Sequence, residues 1–521
     1  MKSQRRIALV WGRKFFFSYG LLSLLGVGLL FFQHLGKPES VLAWIYLITS
    51  FLGHFGMMIV LGFFVLYTPL VWISPGYYWS RFWASSIITT LVAVMGFDAV
   101  IVAQYRWHFY ELLTLNRHLS FDDILLATGL NTIFFGSIIV FWIFLFVIGE
   151  KLWRHLQRRF SQTVSNWYLY PIIGCFLISN LLHLVADYRG NQELAVYDDT
   201  FTFQASPTAK KVLTKLGLQK GTIESDEIPH HPFFYPKGQL KCDLNPTKNL
   251  FVILVPAWTT SQFTDSENEV LSHYASHGQV FEENYLGTNN PQEGLFSFFY
   301  GLPTFYMQGF TQTKTPAVFL EKLEESGMDS SILAIGAGAE FLSTSTKYKK
   351  IGSNQELVQV AKNKLSSLVP GSRFAIFSIL DNSVYSNTEV IVKELMEELV
   401  SKKLVKETHI IVASISSPDA KAPLFTLFSN REDQVVTHFS QMIDVVPSLM
   451  KDYFKCKNSY SDFSLGNNIW EEKDKNIMFN GFKNNLSILS FDESKKALVE
   501  LEKQDYLKEL KTLTFFYKRS R

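Results

Sequence analysis

The chain has little cysteine, little net charge, and long stretches in its first 190 residues with almost no charge at all. Three cysteines in 521 residues exclude a disulfide scaffold as the source of the fold, and no zinc-type spacing links them. Cys175 lies in an apolar run, which leaves Cys242 and Cys456 in polar surroundings. One disulfide and two free thiols both fit that pattern. A formal net charge of +2 is too small to hold a polyanion, so no nucleic-acid partner is expected. What is present in excess is apolar surface: 47% of residues are hydrophobic and 15% aromatic, with a mean hydropathy of +0.10.

That excess is concentrated near the N-terminus. A bilayer-spanning helix needs about 20 mostly apolar residues. Five runs qualify: Phe15–Phe32, Val41–Trp72, Phe82–Ala103, Leu126–Ile148 and Trp167–Ala186. The first is too long for a signal-peptide core and has no small-residue cleavage site, so it is expected to be retained. The second leaves room for tilt or for an interfacial turn near Pro69. Lys and Arg in short loops set the orientation. One side carries Lys2, Arg5, Arg6, Arg13, Lys14, Arg81, Lys151, Arg154, Arg158 and Arg159; the other has Lys37, Arg106 and Arg117. The N-terminus is therefore expected in the cytoplasm and everything after the fifth span outside, in the periplasm of a Gram-negative cell.

Two polar residues interrupt the spans. Asp98, in "VMGFDAVIVAQ", is a functional candidate because an ionisable group in lipid is costly. The alternative is a structural hydrogen bond to a neighbouring helix or to Arg106. His54 reads as a packing residue. No paired broken helices or internal repeat suggest a transporter.

Residues 1–187 thus form a five-helix membrane domain and 188–247 a connector. Within the connector, "SPTAKKVLTKLGL" has helix start and stop signals. Arg189, Lys210, Lys211 and Lys215 would lie near the outer bilayer surface, where basic side chains bind anionic head groups; a solvated basic face is the competing reading. In residues 248–521, apolar strand-like runs alternate with amphipathic helices. "LFVILVPA", "SILAIGA", "FAIFSIL", "HIIVASI" and "PLFTLFS" read as strands of a mostly parallel sheet in an α/β domain. "NIMFNGFKNNLSILSF" reads as a hairpin before a last helix. Ligands of such sheets bind at the carboxyl ends of the strands, yet "NLFVILVPAWTT" ends on Pro256, Ala257 and Trp258, with no carboxylate, His or Cys.

The run "NNPQEGLFSFFYGLPTFYMQGF", with "FDAVIVAQYRWHF", "SPTAKKVL" and "YSDFSLGNNIW" in this order, resembles the inner-membrane YejM/PbgA/LapC proteins. Their outer domain is of alkaline-phosphatase and sulfatase type and similar to lipoteichoic acid synthases. In that superfamily a metal held by oxygen and imidazole ligands activates a hydroxyl or thiol nucleophile. The resemblance implies that the first metal-ligand position is Pro256, that the nucleophile position is Asn290, and that an Asp-His pair is replaced by Ile415 and Ser416. Near a further expected His only Asp419 and Lys421 occur. No metal or other cofactor is then expected. Thr259, Thr260, Ser261 and Thr288 are weak substitute nucleophiles, Glu293 is a lone carboxylate, and His230–His231 is a loop pair that reads as solvated.

The resemblance also implies a role: a non-enzymatic regulator that senses lipopolysaccharide, lipid A or cardiolipin at the periplasmic face and controls lipid A synthesis and outer-membrane lipid balance. It would act through a membrane-anchored adaptor of the protease pathway that governs that synthesis. In relatives, Lys210 and Lys211 match a paired-arginine lipid site. The alternative is a metal-dependent phospholipid-headgroup transferase or phosphatase.

Overall fold

The computed structural model describes residues 2–34, 38, 40–115, 120–130, 132–158, 169–189, 194, 197, 200–204, 235–259, 277–313, 315–335, 341–342, 348–367, 373–380, 388–417, 420–428, 431–473, 476–480, 487–513 and 516. The chain divides into two units, Met1–Pro232 with Tyr517–Arg521, and Phe233–Phe516.

Among the described residues of the first unit five helices are long and apolar enough to cross a membrane: Gln4–Gln33, Val41–Ile73, Tyr77–Tyr105, Thr132–His155 and Leu169–Ala186. The first two are continuous runs with a π turn inside each, Phe16–Gly20 and Gly62–Tyr67, so the second extends helically through Pro69 to Ile73. The fourth span begins at Thr132, not Leu126. Leu126 belongs to a separate short helix, Phe121–Ala127, because Ser120 and Asp123 build a capping box there and Gly129, at φ 68, breaks the chain direction.

Small residues let the spans approach closely. A Cβ on Gly53 would lie 2.6 Å from the backbone of Phe176, and one on Gly56 2.6 Å from Ile172. The second and fifth spans therefore meet backbone to backbone at Gly53, while Gly56 makes room for the Ile172 side chain. At the other end of the unit Arg81, 2% exposed, donates to the Phe146 carbonyl at 2.6 Å and to Tyr77 Oη at 2.9 Å. Its guanidinium lies 4.0 Å from the Phe146 ring centre. Glu150 Oε2 lies 3.4 Å from the same guanidinium, so the buried cation has a carbonyl, a carboxylate and an aromatic face beside it, while its Nε has no hydrogen-bond partner among the described residues.

The second unit is built on an eight-stranded sheet of order β5-β4-β6-β1-β7-β8-β2-β9. The strands are β1 (Asn249–Val255), β2 (Gln279–Phe281), β4 (Asp329–Ile335), β5 (Tyr348–Ile351), β6 (Phe374–Ile379), β7 (Thr408–Ser414), β8 (Leu424–Leu427) and β9 (Gln434–Val436). β1 is central and parallel to both β6 and β7. Every residue of β1, β6 and β7 is buried, as a parallel sheet covered on both faces requires. β8 pairs antiparallel with β7 and β2. Helices Asn354–Ser366 and Thr388–Ser401 place Leu357, Ala361, Leu365, Val392, Leu395 and Leu399 in the core on one side. The C-terminal hairpin, β11 (Ile477–Asn480) with β12 (Ser487–Asp492), gains a third strand, β13 (Ala497–Glu500), before the last helix, Lys503–Leu513. A two-strand pair, β3 (Asn284–Tyr285) and β10 (Ser440–Gln441), completes the sheets.

Cys242 and Cys456 form a disulfide across 214 residues, which resolves the two readings of the sequence in favour of pairing. Closing so long a loop reduces the entropy of the unfolded chain by an amount worth about 5 kcal/mol in the chain-entropy picture.

Candidate functional site

The carboxyl end of β1 meets the carboxyl end of β7 and the N-terminus of the helix Pro291–Tyr300. Pro256 follows β1 and is buried. Ala257 turns at φ 53, a left-handed conformation that a side chain disfavours. Two serines at the end of β7 hold this turn: the Ala257 amide donates to Ser416 Oγ at 2.7 Å, and Ser414 Oγ donates to the Trp258 carbonyl at 2.9 Å. Ile415 is buried, and its amide donates to the Val255 carbonyl at 2.9 Å.

Asn290 sits at the start of the facing helix as its N-cap, accepting from the Gln292 amide at 2.9 Å. Pro291 takes the first helical position, where a missing amide hydrogen costs nothing. Glu293 accepts from Thr288 Oγ1 at 2.5 Å, and Thr288 in turn accepts from the Asn290 amide. Gly294 presses on the strand end: an added Cβ would be 1.7 Å from the Ile415 carbonyl oxygen. Pro256, Asn290, Ile415 and Ser416 are thus brought to one place. The cavity beside Thr288, Gly294 and Ser297 measures about 10 Å³ among the described residues, room for about one water. Among those residues no three His, Cys, Asp or Glu side chains converge. Lys421 pairs with Glu283 at 3.0 Å. Thr260, Ser261, His230, His231 and Asp419 lie outside the described residues.

The two motifs around this helix dock on each other. Gly301 ends it at φ 63. Ser464 Oγ donates to the Gly301 carbonyl at 2.6 Å and accepts from the Gly466 amide. Gly466 fits because a Cβ there would meet the Ile443 carbonyl at 2.1 Å. Asp444, fully buried, takes the amides of Gln441 and Asn467 and Lys473 Nζ at 2.5–2.8 Å. At the opposite end of β7, His409 stacks on Phe428 with ring centres 4.2 Å apart. Burial, then the positive charges of Lys248, Lys455 and Arg431, push its pKa down to about 4.

In the membrane unit Asp98 is fully buried and has three donors. His108 Nδ1 and Thr202 Oγ1 each lie 2.5 Å from Oδ2, and the Phe109 amide lies 2.7 Å from Oδ1. The expected partner Arg106 is not among them. Arg106 adopts φ 64 at the end of the third span, which turns the chain so that His108 and Phe109, not Arg106, face the carboxylate; its Nη1 is buried without a hydrogen-bond partner among the described residues.

Thr202 belongs to a segment that re-enters the bundle after the fifth span. Phe201, 1% exposed, packs against Phe31, Phe32, Phe51 and Phe55. His54 is more than packing: its ring stacks on Phe201, and Nε2 lies 2.9 Å from the Thr202 carbonyl. Arg189 ends the helix of the fifth span; Lys210, Lys211 and Lys215, with the helix expected around them, lie outside the described residues. Sequence reasoning missed His108 and Thr202. The usable signal was the row of polar residues, Ser50, His54 and Asn180, inside otherwise apolar spans.

Fold and site together define a multi-span membrane protein with a mostly parallel α/β domain following its fifth apolar helix. Residues 1–242 match a family described as "Domain of unknown function (DUF3413)", and the chain is similar to the inner membrane protein YejM. It is 23% identical to YejM of Salmonella typhimurium over 333 residues, 61% of this chain and 55% of that protein, and equally to YejM of Salmonella typhi. The match thus spans about half the length of those two relatives. An uncharacterized protein of Haemophilus influenzae is 18% identical over 517 residues, 92% of this chain and 88% of the relative. Among solved structures, a protein in the alkaline phosphatase superfamily from Vibrio parahaemolyticus covers 55% of this chain and 93% of its own at 11% identity, with a TM-score of 0.42. A lipoteichoic acid synthase from Listeria monocytogenes covers 53% and 95% at 12% identity, with a TM-score of 0.38.

Proposed function

We propose that the chain is a non-enzymatic inner-membrane regulator. It senses lipopolysaccharide or another anionic lipid, such as cardiolipin, at the periplasmic face and adjusts lipid A synthesis through a membrane-anchored adaptor of the protease pathway. The supporting observation is the use made of Pro256, Asn290, Ile415 and Ser416. One turns the chain, one caps a helix, one packs, and one bonds a backbone amide. Such groups hold a shape, and a proline, an amide, an isoleucine and a serine do not supply the carboxylate and imidazole ligands that a divalent ion needs. A retained surface without its chemistry suits recognition. The basic segment containing Arg189, Lys210, Lys211 and Lys215 supplies the charge that a phosphate head group needs, and positive-side counting places it on the periplasmic side.

Two measurements on the purified full chain test this. Zinc, manganese and magnesium content is expected to be far below one ion per chain, with no turnover of an aryl phosphate. Stoichiometric metal with turnover abolished by one point substitution would establish the enzyme instead. The double variant Lys210→Glu, Lys211→Glu is expected to lower co-purified anionic lipid severalfold and to change cellular lipopolysaccharide. No change in either quantity would refute the sensing role.

A further inference from the structure

Between the second and fifth spans, beside their close contact at Gly53 and Gly56, lies a groove of about 420 Å³. That volume is in the range of roughly 300–1,000 Å³ of small-molecule sites. The spans that form it turn large apolar side chains outward, among them Leu61, Leu177 and Leu181 at 53%, 60% and 60% exposure. What surrounds the groove is therefore bilayer hydrocarbon, and an acyl chain is the occupant of matching chemistry.

An acyl chain alone does not account for the polar wall. Ser50, His54, Ser179, Asn180 and Gln204 line the groove. His54, Ser179, Asn180 and Gln204 each direct one donor within the protein. Gln204 Nε2 donates to Ser50 Oγ at 3.0 Å, Ser179 Oγ to the Phe176 carbonyl at 3.0 Å, and Asn180 Nδ2 to the same carbonyl at 2.7 Å. The acceptors are another matter. His54 Nε2 faces the Thr202 carbonyl, which can only accept, so Nε2 carries the hydrogen. In the neutral ring favoured at membrane depth, Nδ1 is then an acceptor. Among the described residues no group donates to His54 Nδ1 or to Asn180 Oδ1, and neither atom is sealed inside the protein. Acceptors left open in hydrocarbon are unfavourable until a donor arrives.

We propose that this groove holds a lipid acyl chain bearing a hydroxyl group, which donates to His54 Nδ1 or Asn180 Oδ1. The proposal rests on the lipid-sensing reading and deepens it, because it selects among lipids by the chain and not by the head group. It also places the selective contact on the ring that holds Thr202, and so next to the segment tied to Asp98.

The test titrates the full-length chain in detergent with 3-hydroxytetradecanoic acid and with tetradecanoic acid, counting complexes by native mass spectrometry. The hydroxylated acid is expected to bind roughly threefold to tenfold tighter, the worth of one hydrogen bond. His54→Phe or Asn180→Leu should remove that preference while the plain acid still binds, and Ser179→Phe, which fills the groove, should weaken both. Equal binding of the two acids to the parent chain, or a preference that survives both His54→Phe and Asn180→Leu, would overturn the proposal. The lysine double variant separates the two readings. A lysine effect without a hydroxyl preference leaves sensing intact and removes the groove site; a preference without a lysine effect does the reverse.

Discussion

The end of the sheet and the groove between the spans are both lined with small polar side chains, and they differ in whether those groups are in use. At the sheet end Ser414, Ser416, Thr288 and Asn290 all bond to backbone or to a neighbouring side chain. A cavity beside Thr288, Gly294 and Ser297 measures about 10 Å³ among the described residues. In the groove no group among the described residues donates to His54 Nδ1 or Asn180 Oδ1, and the space is some 420 Å³. A superfamily resemblance directs attention to the first place. Hydrogen-bond accounting directs it to the second, because a satisfied polar group is scaffold and an unsatisfied one awaits a partner.

The comparison is open to attack by substitution. The largest effect is expected in the membrane unit. Asp98→Leu leaves His108, Thr202 and the Phe109 amide without their acceptor, and should cost about 4 kcal/mol, seen as a marked fall in the thermal midpoint of the detergent-solubilised chain. A small effect would mean that the re-entering segment is held by Phe201, His54 and the Gln204–Ser50 bond without help from Asp98. Next is Gly294→Ala. Its methyl group has no place beside the Ile415 carbonyl, and overpacking there should destabilise the second unit by about 3 kcal/mol. A neutral result would show that the sheet end has space to yield, contrary to a closed site.

His409 is one exception in the second unit, a buried ring whose Nδ1 has no hydrogen-bond partner among the described residues. Its pKa is depressed to about 4 from 6.5. Between those values the unfolded chain binds a proton that the folded chain does not, so stability falls as the pH drops from 6.5 towards 4. The loss should be of the order of 2 kcal/mol over that window, after allowance for partial contact with water. His409→Phe should flatten that part of the profile of midpoint against pH, and an unchanged slope would assign it to other groups. The smallest effect is expected for Ser416→Ala, about 1 kcal/mol, from the Ala257 amide losing its acceptor.

Parts of this were legible before any coordinates. The spans announce themselves by length and apolarity, and β1, β6 and β7 by unbroken hydrophobic runs, because burial on both faces removes the need for alternation. The short strands β2, β3, β9 and β10 were not legible. Two or three residues carry no period, and their pairing depends on neighbours far along the chain. β13 was missed because "ALVE" is too short and half-exposed to stand out. The start of the fourth span was misplaced because "DDILLATG" is apolar enough to look like its beginning, while its capping box makes it a separate turn of helix. Of the candidate site, Asp98 was found by its cost in lipid. Of the two partners the sequence offered, a neighbouring helix or Arg106, the second is turned away by its own left-handed backbone.

The sequence by itself determined which segments are apolar for some 20 residues, which runs form a buried parallel sheet, and which side chains stand at the ends of its strands. Those properties are local, written in composition and period. Only the tertiary structure decided that Cys242 pairs with Cys456, that Thr202 returns 104 residues along the chain to Asp98, and that Gly294 seals against Ile415 while His54 and Asn180 border an open groove. A hydrogen bond or a steric contact depends on distances of a few tenths of an ångström between residues that sequence leaves far apart, and those distances exist only once the chain has packed.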